Sequence, residues 1–147
     1  MTLATLPGRL ADAIAHYEEA VRLKPDFFEA RNNLANALAK MPGRLADAVA
    51  HYETAVRLKP DSVEVHYNFA MTLVKIPGRL PDAIGHLEEV VRRKPDFVDA
   101  RNNLAIYYAQ TGRLEAAIEQ LEIAARLNPA ATAIRDNLEQ LKARRKQ

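Results

Sequence analysis

Apolar residues along the chain recur at the spacing of an α-helix. Two such stretches run from Glu29 to Lys40 and from Leu45 to Leu58. Their apolar faces consist of Ala30, Leu34, Ala35, Ala37 and Leu38 in the first, and of Leu45, Ala48, Val49, Tyr52, Ala55, Val56 and Leu58 in the second. Pro42-Gly43 ends the first stretch and Lys59-Pro60-Asp61 ends the second. The pattern therefore predicts two helices separated by a short turn.

This pair of helices is repeated along the chain. The string PGRL begins at Pro7, Pro42 and Pro77, and blocks 7–41 and 42–76 agree at 23 of 35 positions. A fourth and looser copy begins at Gly112. Such self-similarity indicates one structural unit stacked on itself. Each following helix is expected to start after an aspartate, which serves as the N-cap or lies in the turn just before it: Asp26, Asp61 and Asp96.

The repeat divides the chain into a partial unit, three full units and a last helix. We expect a single domain over residues 1–147, with a partial repeat 1–27, repeats 28–62, 63–97 and 98–130, and a capping helix 131–147. The last helix directs Ile134, Leu138 and Leu141 inward. Glu139 stands in it where earlier copies have Ala35, Ala70 and Ala105, so the array is expected to end there with a polar cap.

The first copy differs from the later ones. Met1-Thr2-Leu3 aligns with Met71-Thr72-Leu73, which places the start of the chain in the middle of a first helix. We expect a fragment of a longer array, or an array that begins at an internal Met. The helix Leu10–Leu23 then has only Met1–Leu6 before it, and its apolar residues are expected to be open for association: Ile14, Tyr17 and Val21.

The repeat pattern resembles that of tetratricopeptide (TPR) repeats. In one copy the matching residues are Leu34-Ala35, Leu38, Ala48, Tyr52, Ala55 and Pro60. The resemblance implies an all-α, right-handed solenoid of helical hairpins. The family's early Trp is replaced by Arg31, His66 and Arg101, and we expect His66 to lie on an exposed face.

Composition narrows the classes of function. Hydrophobic residues make up 48% and charged residues 27% of the chain, which is typical of a globular protein, and the absence of Cys excludes disulfides and thiolate zinc sites. The high pI of about 9.0 is due to Lys142, Arg144, Arg145 and Lys146, because the 19 acidic residues outnumber the remaining basic ones. A basic surface for nucleic acid is therefore not implied. No signal peptide or transmembrane segment is visible, so a cytoplasmic location is expected.

Candidates for catalysis or metal binding are weak. Ser62 has no positioned base, which a serine nucleophile needs. His16, His51 and His86 recur in register, each four residues after an Asp, but equivalent residues of stacked units lie too far apart to share one metal. We therefore expect a non-enzymatic protein with no metal, cofactor, nucleic acid, membrane or small-molecule substrate.

A polar stripe follows the first helix of each unit. An Asn precedes the core Leu or Phe in every copy: Asn33, Asn68, Asn103 and Asn137. Other residues expected on the same face are Asn32, Asn36, Tyr67, Met71, Asn102 and Ile106, together with Lys40 and Lys75. A side-chain amide both donates and accepts, so such a series is suited to pairing with the backbone of an extended peptide. The alternative is that each amide bonds a neighbouring helix.

The Asn series is similar to the asparagine ladder in the TPR arms of O-linked N-acetylglucosamine transferases and their bacterial relatives. That resemblance implies peptide binding in a groove and no glycosyltransferase activity in these residues. Asn36 and Asn68 also match two amides of the carboxylate clamp of other TPR proteins, but Asp99 and Asn103 replace its third-repeat cations. We predict a protein-interaction scaffold that binds an extended peptide in its concave groove. The alternatives are a self-assembly module and a substrate-recognition arm excised from a larger enzyme.

Overall fold

The computed structural model describes residues 7–147. In that part of the chain the backbone forms eight α-helices and no strand. The helices fall into two compact units that divide between Ile76 and Pro77. Unit 1 contains α1 (Pro7–Leu23), α2 (Phe28–Leu38), α3 (Leu45–Leu58) and α4 (Val63–Leu73). Unit 2 contains α5 (Leu80–Arg93), α6 (Val98–Gln110), α7 (Leu114–Leu127) and α8 (Thr132–Arg145).

Consecutive helices pack against each other inside each unit. In unit 1, α2 packs on α1 and α3, and α3 packs on α4. In unit 2, α6 packs on α5 and α7, and α7 packs on α8. The turns within the α2–α3 and α6–α7 pairs need glycine, because Gly43 and Gly112 have φ angles of 77° and 80°. These pairs are the helical hairpins that the periodicity predicts.

Alanine side chains lie in the interior of both units. Several of them are 0% exposed: Ala35, Ala48 and Ala55 in unit 1, and Ala105, Ala117 and Ala124 in unit 2. Larger residues fill the remaining interior, and the ring of Tyr52 stacks on that of Phe69 with centroids 5.2 Å apart. The predicted small-residue pattern is confirmed by this burial.

The boundaries of α2 and α3 agree with the predicted ones to within two residues, whereas α1 begins at Pro7, three residues before the predicted Leu10. The prediction for α3 is confirmed at both ends, whereas α2 ends at Leu38 because Ala39 and Lys40 already belong to the turn. The N-caps are Phe27, Ser62 and Phe97, so each aspartate lies in the turn before the helix. On α8, Ile134, Leu138 and Leu141 are buried and Glu139 is exposed, as predicted.

The side chain at the family's Trp position binds the preceding turn. Arg31 and Arg101 donate from Nε to the carbonyl oxygens of Pro25 and Pro95, at 2.5 and 2.6 Å. His66 Nε2 lies 2.9 Å from the carbonyl oxygen of Pro60. The expectation that His66 is exposed is therefore wrong: its side chain turns inward to satisfy that carbonyl and is buried. Carbonyl groups in a turn have no partner from the helical hydrogen-bond pattern, and this contact supplies one.

The six residues before Pro7 lie outside the described part of the chain. They include Met1-Thr2-Leu3, whose alignment with Met71-Thr72-Leu73 predicts a start within a helix. That prediction, and the prediction of a single domain over 1–147 with its repeat boundaries, stay predictions.

Candidate functional site

The four asparagines of the series do not share one environment. Asn33 is exposed, and Asn68, Asn103 and Asn137 are half-buried. Asn137 Nδ2 donates to Asn102 Oδ1 over 3.3 Å, which joins α8 to α6 within unit 2. The sequence allows a structural role for the series, in which each amide bonds a neighbouring helix. Asn137 on α8 has this role.

Asn32 lies in the interior instead of on the surface. Its side chain is 5% exposed, and Nδ2 donates to Glu64 Oε1 of α4 over 2.9 Å. The Oδ1 atom is buried and has no hydrogen-bond partner among residues 7–147. The expectation that Asn32 contacts a peptide is corrected here, because Glu64 reaches across from α4 and binds it.

Asn36 is held by a buried tyrosine. The hydroxyl of Tyr52 donates to Asn36 Oδ1 over 2.6 Å. Burial raises the pKa of Tyr52 to about 12, so the hydroxyl keeps its proton at neutral pH. This bond uses one lone pair of Asn36 Oδ1, and the second lone pair and the two N–H donors of Nδ2 remain. The sequence predicts Tyr52 in the core, where it lies, but contains no sign of this bond, although a buried tyrosine hydroxyl usually has a partner.

A cleft opens between the first helices of unit 1. It lies between α2 and α4, has a volume of about 350 Å³ and is lined by Asn36, Ala39, Lys40, Tyr52, Asn68, Met71, Thr72 and Lys75. We refer to it as the α2–α4 cleft. Tyr52 of α3 is the only lining residue from a second helix of a repeat. The cleft therefore extends from the face that is predicted to bind peptide down to Tyr52 in the core.

The corresponding cleft in unit 2 lies between α6 and α8. It has a volume of about 410 Å³ and is lined by Ile106, Ala109, Gln110, Leu121, Asn137, Gln140, Leu141 and Arg144. We refer to it as the α6–α8 cleft. Taken in order, these eight residues occupy the repeat positions of the eight that line the α2–α4 cleft. The two clefts are the same feature of the repeat, formed independently in each unit.

The chemistry of the two clefts differs at equivalent positions. Where the α2–α4 cleft has Asn36, Tyr52 and Thr72, the α6–α8 cleft has Ile106, Leu121 and Leu141. Both keep one asparagine of the series, Asn68 and Asn137 respectively. Of the other residues predicted on this face, Met71 lines the first cleft, Ile106 is 37% exposed in the second, and half-buried Tyr67 lines neither.

The residues proposed for self-association lie on α1 and are only partly open. Ile14 is 5% exposed, so it does not contribute to an open face, while Tyr17 and Val21 are half-buried. Leu23, in the last turn of α1, is 69% exposed. Leu23 is not among the predicted association residues, although the same position is apolar in other copies, as in Leu58 and Leu127.

Two of the side chains considered for catalysis or metal binding, Ser62 and His51, contact neighbouring groups of the protein. Ser62 caps α4, with its Oγ accepting from the backbone N–H of Val65 over 3.3 Å. His51 Nδ1 lies 3.3 Å from Arg31 Nη1, and burial together with that cation lowers the pKa of His51. Among residues 7–147, no group of three or more His, Cys, Asp or Glu side chains is arranged to hold a metal ion.

No helix between residues 7 and 147 combines the length and the apolar character that are needed to cross a bilayer.

The sequence matches the profile of the family described as tetratricopeptide repeat over residues 8–70 and 78–132. These two segments cover most of the chain. No curated protein sequence matches it at a significant level.

Similar solved structures are TPR proteins. MamA residues 41 to the end from Desulfovibrio magneticus RS-1 is 25% identical, with a TM-score of 0.83 over 95% of this chain and 77% of that one. TTC0263, a thermophilic TPR protein in Thermus thermophilus, is 20% identical, with a TM-score of 0.70 over 92% and 74%. A TPR protein from Parabacteroides merdae is 18% identical, with a TM-score of 0.84 over 93% and 55%. The predicted TPR fold is confirmed, whereas the resemblance to glycosyltransferase arms is not supported by these matches.

Proposed function

Because the chain belongs to the tetratricopeptide repeat family, we propose that it is a non-catalytic module that binds an extended segment of another protein. Within a unit, the segment lies along the first helices and inserts a side chain into the cleft between them. The observation that carries this proposal is the equivalence of the α2–α4 and α6–α8 clefts at all eight lining positions. A surface that is formed again in each unit is suited to a ligand that is itself a chain of repeated peptide groups.

The volumes and the lining of the clefts support a peptide as the ligand. Each cleft has room for a side chain and not for a folded domain, at about 350 and 410 Å³. Each also exposes an amide of the asparagine series, Asn68 or Asn137, at its side. An amide next to a side-chain cleft is able to bind a peptide group while the neighbouring side chain is inserted.

The experiment that tests the proposal is selection from a library of random short peptides with the intact protein. We expect enrichment of sequences that bind in extended form, with affinities measured afterwards by titration calorimetry. A variant with the α6–α8 cleft filled, Gln140→Trp, is expected to bind less tightly than one altered on the exposed face of α8, Arg135→Trp. If no peptide is enriched over an empty surface, the proposal is wrong.

The asparagine series provides a second test of the same proposal. Replacement of Asn33, Asn68 and Asn103 by Ala is expected to weaken binding of a selected peptide roughly tenfold or more, since each lost neutral hydrogen bond is worth about 0.5–1.5 kcal/mol. Folding should change little, because Ala is the better helix former. Asn128→Ala, in the turn after α7, is the control. Early melting of the triple variant with unchanged affinity would assign the amides a structural role.

Self-association through α1 is the second candidate function. Its support is Leu23, which is 69% exposed at the end of the helix that also carries half-buried Val21 and Tyr17. We expect a dimer at micromolar concentration in sedimentation experiments, and loss of that dimer in the Val21→Lys, Leu23→Lys variant. The control is Arg22→Ala, which changes a neighbouring exposed side chain. An intact protein that sediments as a monomer throughout this range would contradict self-association.

A further inference from the structure

We infer that His51 makes the turn between α1 and α2, residues 24–27, sensitive to pH. When His51 gains a proton, Arg31 is driven out of its contact with that turn, and α1 is held less firmly on α2. The inference concerns the stability of unit 1 and goes beyond the proposed peptide binding. It follows from one series of contacts in unit 1 and from the residue that unit 2 has at the position of His51.

Arg31 of α2 connects the imidazole of His51 to the α1–α2 turn. Its Nε donates to the carbonyl oxygen of Pro25 over 2.5 Å, and its Nη1 lies 3.3 Å from Nδ1 of His51 on α3. A guanidinium has only donors, so Nδ1 is the acceptor in this contact and carries no proton. The contact therefore requires the neutral imidazole, with its proton on Nε2.

A proton on Nδ1 of His51 removes the acceptor and places two cations in contact. Arg31 keeps its own proton at acid pH, so its guanidinium has to move away. The bond to Pro25 is made by the same rigid group and is lost with that movement. The turn then depends on its own backbone bond, from the N–H of Phe27 to the carbonyl oxygen of Lys24 over 3.0 Å.

Charged groups of α1, α2 and the start of α3 act on His51. Burial and the neighbouring Arg31 lower the pKa of His51, as does Arg44, while Asp47 and Glu18 raise it. The pKa is lowered on balance, so the folded protein binds this proton less readily than the unfolded chain does. Stability is therefore full above the ordinary histidine pKa and begins to fall as the pH decreases below it. The loss is complete below the lowered pKa of the folded state.

The helix α4 also packs on α3, and its charged side chains contact other groups. Glu64 Oε1 accepts from Asn32 over 2.9 Å, and His66 Nε2 lies 2.9 Å from the carbonyl oxygen of Pro60. Because Pro60 belongs to the turn between α3 and α4, titration of His66 acts on that turn. The acid responses of the two turns of unit 1 can therefore be followed separately.

Unit 2 has the same contact with an acceptor that does not titrate. Arg101 donates from Nε to the carbonyl oxygen of Pro95 and from Nη1 to Gln120 Oε1, each over 2.6 Å. Gln120 holds the repeat position of His51. An amide oxygen accepts a hydrogen bond at any pH at which the protein is folded. The pH sensitivity therefore belongs to unit 1, and unit 2 provides the internal control.

The test is amide hydrogen exchange of the intact protein, followed by NMR at about pH 7.5 and about pH 5.5 and corrected for the intrinsic effect of pH. The reporters are the hydrogen-bonded backbone N–H groups of Lys24 and Phe27 in unit 1 and of Lys94 and Phe97 in unit 2. On acidification, we expect the protection of the first pair to fall at least about threefold more than that of the second. The His51→Gln variant should abolish this difference, because Gln is the residue that unit 2 has there.

Two further variants examine the same contact from other sides. Gln120→His is the reciprocal change and should make the unit 2 reporters lose protection at acid pH. Arg31→Gln removes the cation and should raise the pKa of His51, measured from the NMR signals of the imidazole. Equal losses of protection in the intact protein and in His51→Gln would overturn the inference, and so would a pKa of His51 that does not respond to Arg31→Gln. Peptide selection at neutral pH tests the proposed function independently of these outcomes.

Discussion

Replacing Ala105 by Glu is expected to lower the melting temperature by about 10 °C or more. Ala105 is 0% exposed, in the tightly packed interior of unit 2. An unpaired carboxylate buried there costs several kcal/mol, and each kcal/mol corresponds to roughly 2–4 °C in a chain of this length. Thermal unfolding followed by circular dichroism measures the effect.

The same chain offers matched controls for this substitution. Glu139 occupies the equivalent position on α8 and is exposed, so Glu139→Ala is expected to change the melting temperature little. Ala133→Glu places a new carboxylate on the exposed face of α8 and should also have a small effect. A melting curve of the Ala105→Glu variant that superimposes on that of Ala133→Glu would contradict the repeat register.

Replacing Arg101 by Ala is expected to lower the free energy of unfolding by about 2–3 kcal/mol. Arg101 is 8% exposed, and its guanidinium donates to the Pro95 carbonyl and to Gln120 Oε1, each at 2.6 Å. Burial lowers the pKa of Arg101, but the group remains charged at neutral pH. Its removal leaves both acceptors without this donor, at about 1–3 kcal/mol for each buried acceptor that stays unsatisfied. Urea denaturation measures the change.

Arg135 is the control for Arg101, because it holds the same repeat position on α8 and is exposed. Arg135→Ala is expected to alter the free energy of unfolding by less than about 0.5 kcal/mol. Equal losses in the two variants would show that the contact with the preceding turn contributes nothing measurable.

The sequence predicts the helices and their core well, because the repeat presents the same apolar pattern several times. Leu34, Ala48 and Tyr52 are buried as their spacing requires. Helix ends are less certain from sequence, since the residues after Leu38 remain good helix formers and the turn is set by Gly43. These features depend on residues that are close together in the chain, and the periodic spacing of apolar residues reports on such local structure.

Contacts between helices could not be predicted in the same way. Asn32 and Asn33 are adjacent and chemically identical, yet one is buried against Glu64 and the other is exposed. The position of His66 was misjudged for a similar reason: its partner is a backbone carbonyl, which no side-chain pattern reveals. Lys40 and Lys75 are visible in the sequence, but their place at the rim of the α2–α4 cleft depends on how α2 packs beside α4.

The two clefts are lined from the same eight repeat positions, and this correspondence affects how such a chain can evolve. The packing alanines, such as Ala35 and Ala105, are the same in both units, while several lining residues differ in polarity between the two clefts. Most lining residues are at least partly exposed, so their replacement has a small effect on folding. After duplication of a repeat, selection can therefore act on ligand preference one residue at a time, and each intermediate remains folded.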